Sequence, residues 1–178
     1  NILFFSTLLN AQNIRVGIYH KQSIDFVSFN YQNSSYSIYG DSSFVVSLSN
    51  NKTIKIIKDD SLLILKNNDK LIGRFSTINL VQDSLNSSLI IRPENIDIKK
   101  RNLKGDFKLE IINNQLIIVN IIDMANYLSS VVLSEAGLNK KEEYYKVQVI
   151  LSRTYALKHL NKHVKYNFDL CDGVHCQV

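Results

Sequence analysis

At Asp123 the hydrophobic period of this chain changes, and that change constrains the fold more than any other feature. Up to residue 122 the sequence is a series of short apolar runs, at 14–20, 24–29, 36–39, 44–48, 53–57, 62–65, 71–75, 89–92, 107–112 and 116–121. Between several of them stand asparagine pairs, at 50–51, 67–68 and 113–114, whose side chains tolerate left-handed backbone and suit hairpin turns. Residues 52–58 (KTIKIIK) partly alternate polar and apolar, as a half-buried strand requires. Strands at intervals of about 8–12 residues predict a sandwich or a barrel-like meander.

From Asp123 the spacing is helical. Asp123 is a good N-cap, Met124, Tyr127, Leu128, Val131 and Val132 fall on one face, and Gly137 supplies a stop. A second helix is expected from about residue 141 to 159, capped by Asn139. Its apolar residues spread widely round the axis, which predicts burial on more than one side. Strands first and two consecutive helices afterwards make the fold class α+β.

With 178 residues, 45% hydrophobic and 21% charged, the chain has the composition of a soluble globular protein with one sizeable core. We divide it into residues 1–12, a β-rich region over 13–100, and a C-terminal region over 101–178. A polar stretch at 82–88, with Pro93–Glu94 soon after it, is the best local signal for a boundary between an N-terminal β module and the rest. Residues 2–9 (ILFFSTLL) followed by Asn10–Ala11–Gln12 resemble the tail of a secretory signal peptide. The run is too short to span a bilayer, for which about 20 residues are needed. The expectation is therefore an exported protein of the periplasm or cell envelope, touching the membrane only through its export signal. Continuation beyond Val178 is expected as well, because the chain stops directly after a cysteine cluster. A net charge of +5 favours an anionic partner. No arginine stripe with interleaved aromatics accompanies it, so nucleic acid is not the expected one.

The residues that could carry chemistry lie after Asp123. Glu135 ends the first helix, where the helix dipole and packing against Val131 and Val132 would both disfavour its charge, as a general acid needs. The bland alternative is a solvated surface glutamate. Lys146 and Arg153 lie seven residues apart on one face of the second helix, about 10 Å from each other, and could bracket a carboxylate. Gln148, Ser152 and Tyr155 form a polar line on another face, with Gln148 and Tyr155 the candidates for substrate contacts. Cys171, His175 and Cys176 could supply three zinc ligands with His163 or His159 as a fourth, or the two cysteines could form a disulfide.

Three spaced elements of this segment resemble the stage II sporulation protein D family, the SpoIID/LytB domain. They are Asn126–Tyr127–Leu128 leading to Ser134–Glu135, then Lys146–Val147–Gln148 with Arg153–Thr154–Tyr155–Ala156, then Asp169–Leu170–Cys171–Asp172 with His175–Cys176–Gln177. Ser129–Ser130 and Ala136 depart from the family pattern without removing the acid. The resemblance covers about residues 101–178 and implies a peptidoglycan lytic transglycosylase. Such an enzyme cleaves between N-acetylmuramic acid and N-acetylglucosamine in peptide-free glycan strands. It implies Glu135 as catalytic acid, Lys146 and Arg153 as basic support, and structural zinc near the final Cys-Gln pair. Relatives that enhance a partner amidase without cutting glycan imply the alternative, a non-catalytic wall-binding protein.

Overall fold

In the computed structural model, residues 12–31, 35–48, 53–85, 87–173 and Cys176 are described. The apolar runs become β1 (Asn13–Ile18), β2 (Phe26–Tyr31), β3 (Tyr36–Gly40), β4 (Ser43–Leu48), β5 (Thr53–Asp59), β6 (Leu62–Asn67) and β7 (Lys70–Phe75). They continue as β8 (Thr77–Gln82), β9 (Ser88–Pro93), β10 (Arg101–Lys104), β11 (Asp106–Ile112) and β12 (Gln115–Asp123). Helices α1 (Met124–Ala136) and α2 (Glu142–Lys158) follow, and a short β13 (Leu170–Cys171) returns to the sheet. The α+β class stands. Three strands escaped the sequence reading, β8, β10 and the two-residue β13. In β8 the alternation Ile78–Asn79–Leu80 is a legible period of two, whereas β10 (RNLK) has no apolar run to betray it.

The strands form two sheets. One runs β13-β1-β12-β11-β8-β3-β4 and the other β10-β9-β2-β5-β6-β7. Pairing is antiparallel except for β13, which lies parallel to β1 with Gly17 opposite Cys171. Alternate residues such as Ile54, Ile56, Leu63, Leu65, Ile78 and Leu80 are fully buried, and Phe29 of one sheet meets Phe107 of the other edge-on at 5.8 Å. Strands from either side of residue 100 share both sheets: β10 pairs with β9, and β11 with β8. Asn113 and Asn114, at φ 51° and 60°, make the β11–β12 turn. Residues 50–51 and 1–11, the expected turn and export signal, lie outside the described residues.

β12 does not alternate. Leu116, Ile117, Ile118, Val119 and Asn120 are all buried, as a strand covered on both faces must be. The same strand runs straight into α1. Asp123 is its last residue and the N-cap of the helix, its carboxylate accepting the Asn126 amide at 2.9 Å. Placement of α1 is thus set by a central strand and a cap rather than by a loop.

Candidate active site and metal-ligand cluster

On α1, Met124, Leu128, Val131 and Glu135 fall on one line, and the first three are buried in the core. Glu135 extends that inward line by one more turn but is exposed, where packing against Val131 and Val132 was expected. The reason is local. The helix ends one residue later, and Gly137 turns the chain away at φ 68°. The Tyr145 hydroxyl, on the first turns of α2, donates to Gly137 O at 3.0 Å and accepts from Lys140 N at 3.1 Å. That clasp closes the connection immediately after Glu135.

Helix α2 differs from expectation in two respects. Its N-cap is Lys141, not Asn139, which instead takes φ 65° in the turn. It is buried on one face only: Ser152 and Ala156 are buried, whereas Val147, Ile150 and Leu151 are 56%, 64% and 49% exposed. Tyr145, Gln148 and Tyr155 share the half-buried side that packs toward α1. The wide apolar spread therefore has a partner on one side alone among the described residues. Lys146 and Arg153 are both exposed on another side. Lys146 is engaged by its own helix, with Glu142 and Glu143 each at 2.9 Å. Tyr155 takes part in a different neighbourhood: its hydroxyl accepts from Lys162 Nζ at 3.3 Å, and its ring lies 4.0 Å from that of His159.

Below the helix pair, His163, Cys171 and Cys176 converge with all ligand atoms within 4.8 Å of one another. His163 Nε2 is 3.3 Å from Cys176 Sγ, which is 3.4 Å from Cys171 Sγ, and both cysteines are free thiols. Burial, with the adjoining Cys176 sulfur, pushes the Cys171 thiol up to about 11. His159 bonds the Tyr155 carbonyl through Nδ1 and is not one of the three. His175 lies outside the described residues. Two thiols and an imidazole around one point are donor types that a tetrahedral metal ion takes, and their separations of 3.4 and 3.3 Å are somewhat shorter than an ideal site would give. Bond lengths of about 2.3 Å to sulfur and 2.0 Å to nitrogen put two sulfurs roughly 3.8 Å apart, and sulfur and nitrogen roughly 3.5 Å apart.

Residues to which the sequence reading gave no role hold this cluster in place. Asp169 accepts from the Arg15 backbone amide and from both ends of its guanidinium fork, at 3.0, 3.2 and 2.8 Å. Phe168 is fully buried over Gly17, where an added Cβ would come within 2.5 Å of the ring. Tyr127 joins the cluster to α1: burial, then the nearby Cys176, Tyr155 and Cys171, push its phenol up to about 12. Asp172 follows Cys171 and accepts from the Tyr19 amide at 2.7 Å and from Arg101. Tyr127, Asp169 and Asp172 stood in the spaced elements only as pattern positions, and the partners that reveal their role lie far away in the chain.

Beside α1 lies a cleft of about 660 Å³. Residues of α1 from Asn126 to Ser134 line one wall and the Lys99–Lys104 segment the other, over a floor that includes Val16, Ile18 and Ile122. Ser134 precedes Glu135, so the cleft runs up to the turn of helix that carries the candidate acid.

Residues 112–178 match the family model SpoIID, described as Stage II sporulation protein, in agreement with the resemblance carried by the three spaced elements. This is a cell-wall-related sporulation family, associated with lytic activity. No curated protein and no solved structure matches the chain. No helix among the described residues is long and apolar enough to cross a membrane.

Proposed function

We propose that this chain, on the strength of the SpoIID match over residues 112–178, is an exported peptidoglycan lytic transglycosylase. The observation that carries the reading is Glu135. It is an accessible carboxyl on the inward line of a helix, held by a clasped turn, at the end of a cleft able to take a chain. Glu135 donates its proton to the glycosidic oxygen between N-acetylmuramic acid and N-acetylglucosamine as the C1–O bond breaks. The 6-hydroxyl of the same muramic residue then attacks C1, and its proton returns to Glu135. A 1,6-anhydro end results, so one carboxyl suffices and no water is consumed. Arg153 and Lys146 supply positive charge alongside the strand; Lys146 must exchange Glu142 and Glu143 for substrate to do so. Gln148 and Tyr155 serve chiefly to brace α2 against α1 and the cysteine cluster.

The test is product analysis on peptide-free glycan strands. Anhydro-ended products from the wild type, absent from Glu135→Gln, are expected. Undiminished products from Glu135→Gln would sink the assignment. A second reading, a non-catalytic wall-binding enhancer of a partner N-acetylmuramoyl-L-alanine amidase, draws on the exposed Val147, Ile150 and Leu151 of α2. It predicts that Glu135→Gln stimulates the amidase as well as the wild type does.

His163, Cys171 and Cys176 fit a structural Zn²⁺ in donor type and spacing, with His175 or another group as fourth ligand. When bound, the ion would cross-link the α2–β13 connection to β13. Elemental analysis of protein purified without added metal should give one zinc per chain, lost in Cys176→Ser. A metal-free wild type with oxidised cysteines would replace this reading with the disulfide.

A further inference from the structure

We infer that the outward face of α2 docks on the surface of an anionic lipid bilayer, a contact that neither the export signal nor the glycan reading calls for.

Helix α2 turns Tyr145, Gln148, Ser152 and Ala156 toward α1. On its opposite side Val147, Ile150, Thr154 and Leu157 follow one another three or four residues apart and so form one row along the helix. All four are exposed, Ile150 by 64%. Tyr144 and Leu151, also exposed, border the row on one side, and Lys146 and Arg153 border it on the other. Single exposed aliphatics are ordinary on a protein surface. Five apolar side chains on adjacent turns of one helix make a contiguous patch, and such a patch marks an interaction surface. From Tyr144 to Leu157 it is about 20 Å long at 1.5 Å per residue.

The charge around that patch is one-sided. Residues 135–165 hold seven lysines and arginines against three carboxylates, a net +4 within a chain whose total is +5. All seven cations are exposed. Two of the three carboxylates, Glu142 and Glu143, are already committed to Lys146. Among the described residues Lys140, Lys141, Arg153 and Lys158 have no ion-pair partner. Lys140 and Lys141 stand just before the row and Lys158 at its end, so cations ring it at both ends and along one flank. The first two sit at the helix N-terminus, where the helix dipole disfavours positive charge. Helix stability therefore does not account for them.

The combination selects the partner. A second copy of this face would set net +4 against net +4. A soluble polyanion would engage the cations but leave the aliphatic row in water. At an anionic bilayer both are satisfied: the aliphatic row enters the headgroup–acyl boundary, the lysines reach lipid phosphates along their apolar stems, and the Tyr144 phenol stays at the interface. No helix among the described residues is long and apolar enough to cross a membrane, so α2 would lie in the interface plane. Because α1 packs on the other side of α2, it would stand roughly 10 Å, one helix diameter, off the lipid.

The chain contains no tryptophan, which makes the face directly readable. Ile150→Trp puts a lone fluorophore on the row, and Leu85→Trp puts one at an 81% exposed position between β8 and β9 as control. Each full chain is mixed with vesicles of phosphatidylcholine alone or of equimolar phosphatidylcholine and phosphatidylglycerol. With phosphatidylglycerol present, the Ile150→Trp emission should shift to the blue and be quenched by brominated acyl chains, while the Leu85→Trp emission stays unchanged. Adding Lys140→Gln/Lys141→Gln/Lys158→Gln should weaken binding by roughly tenfold or more at low salt, and by less at high salt. Val147→Ser/Leu157→Ser should weaken it too while leaving the thermal midpoint without vesicles in place. No binding, or equal binding to the two vesicle types, would overturn the proposal. Sedimentation with vesicles but an unshifted Ile150→Trp emission would overturn it as well, by placing the contact elsewhere. So would a blue shift that needs no vesicles and grows with protein concentration, the mark of a second copy, or one produced by an N-acetylmuramoyl-L-alanine amidase and not by vesicles.

Discussion

Replacing Asp169 with Asn isolates the link that holds the cysteine-bearing strand against β1. The carboxylate takes three hydrogen bonds from Arg15, and its side chain is 8% exposed against 43% for Arg15. Asparagine keeps one acceptor oxygen and nearly the same shape but loses the charge and one arm of the fork. Removing one partner of a buried pair costs about 3–5 kcal/mol. Here the guanidinium can turn to water and the amide oxygen can keep one bond, so the expected loss is about 1.5–3 kcal/mol. In a chain of this size that lowers the melting midpoint by roughly 3–12 °C. The pH dependence tests the electrostatic part. Burial by itself would raise the Asp169 carboxyl, but the hydrogen bonds and charge of Arg15 outweigh it and hold the group below its ordinary value. A carboxyl depressed by folding stabilises fully above its unfolded pKa of about 3.9, and the contribution is lost as pH falls through the lower folded value. Asparagine has nothing to titrate. Urea unfolding of both proteins at pH 7, 5 and 3 should show a full gap at the first two and a narrowed one at pH 3. A gap of the same size at pH 3 would refute the charge argument, and no gap at pH 7 would refute the link itself.

Three more substitutions probe the surroundings of the site. Gly17→Ala drives a methyl toward the Phe168 ring and should cost about 1–3 kcal/mol and lower the zinc content, both regained on adding Phe168→Leu; a stable, zinc-replete single variant would show that this contact is loose. Tyr145→Phe removes the clasp behind Glu135, so the Lys140 amide hydrogen should exchange faster with solvent and kcat should fall more than KM changes. Unaltered exchange would dismiss the clasp. Ser152→Ala deletes a buried Oγ that has no hydrogen-bond partner among the described residues, and should be neutral or stabilising in thermal melts. A loss above about 1 kcal/mol would mean that the hydroxyl is satisfied after all.

Legibility in this chain follows how local each signal is. The hairpin at Asn113–Asn114, the cap at Asp123 and the stop at Gly137 depend on a few adjacent residues, and each stands where it was expected. Helix α2 was misjudged because counting apolar positions measures how much surface is available to bury, not whether a partner covers it. The Glu135 environment was misjudged for a related reason. Helical spacing correctly puts the acid on the inward line, but burial depends on what lies past the helix end, and there the chain turns away.

By itself the sequence determined the α+β class, the strand-to-helix transition at Asp123 and the three spaced elements that lie within the family-model match over residues 112–178. These follow from periodicity and residue type, which are properties of neighbours in the chain. Only the tertiary structure decided that His163, not His159, joins Cys171 and Cys176, that Arg15 anchors Asp169 across 154 positions, and that Lys99–Lys104 faces α1 across a cleft. Each of these pairs side chains from distant segments, and their meeting depends on the order and register of strands in two sheets. No local pattern encodes that order; it is settled when β1, β12 and β13 find one another and bury the apolar faces they share.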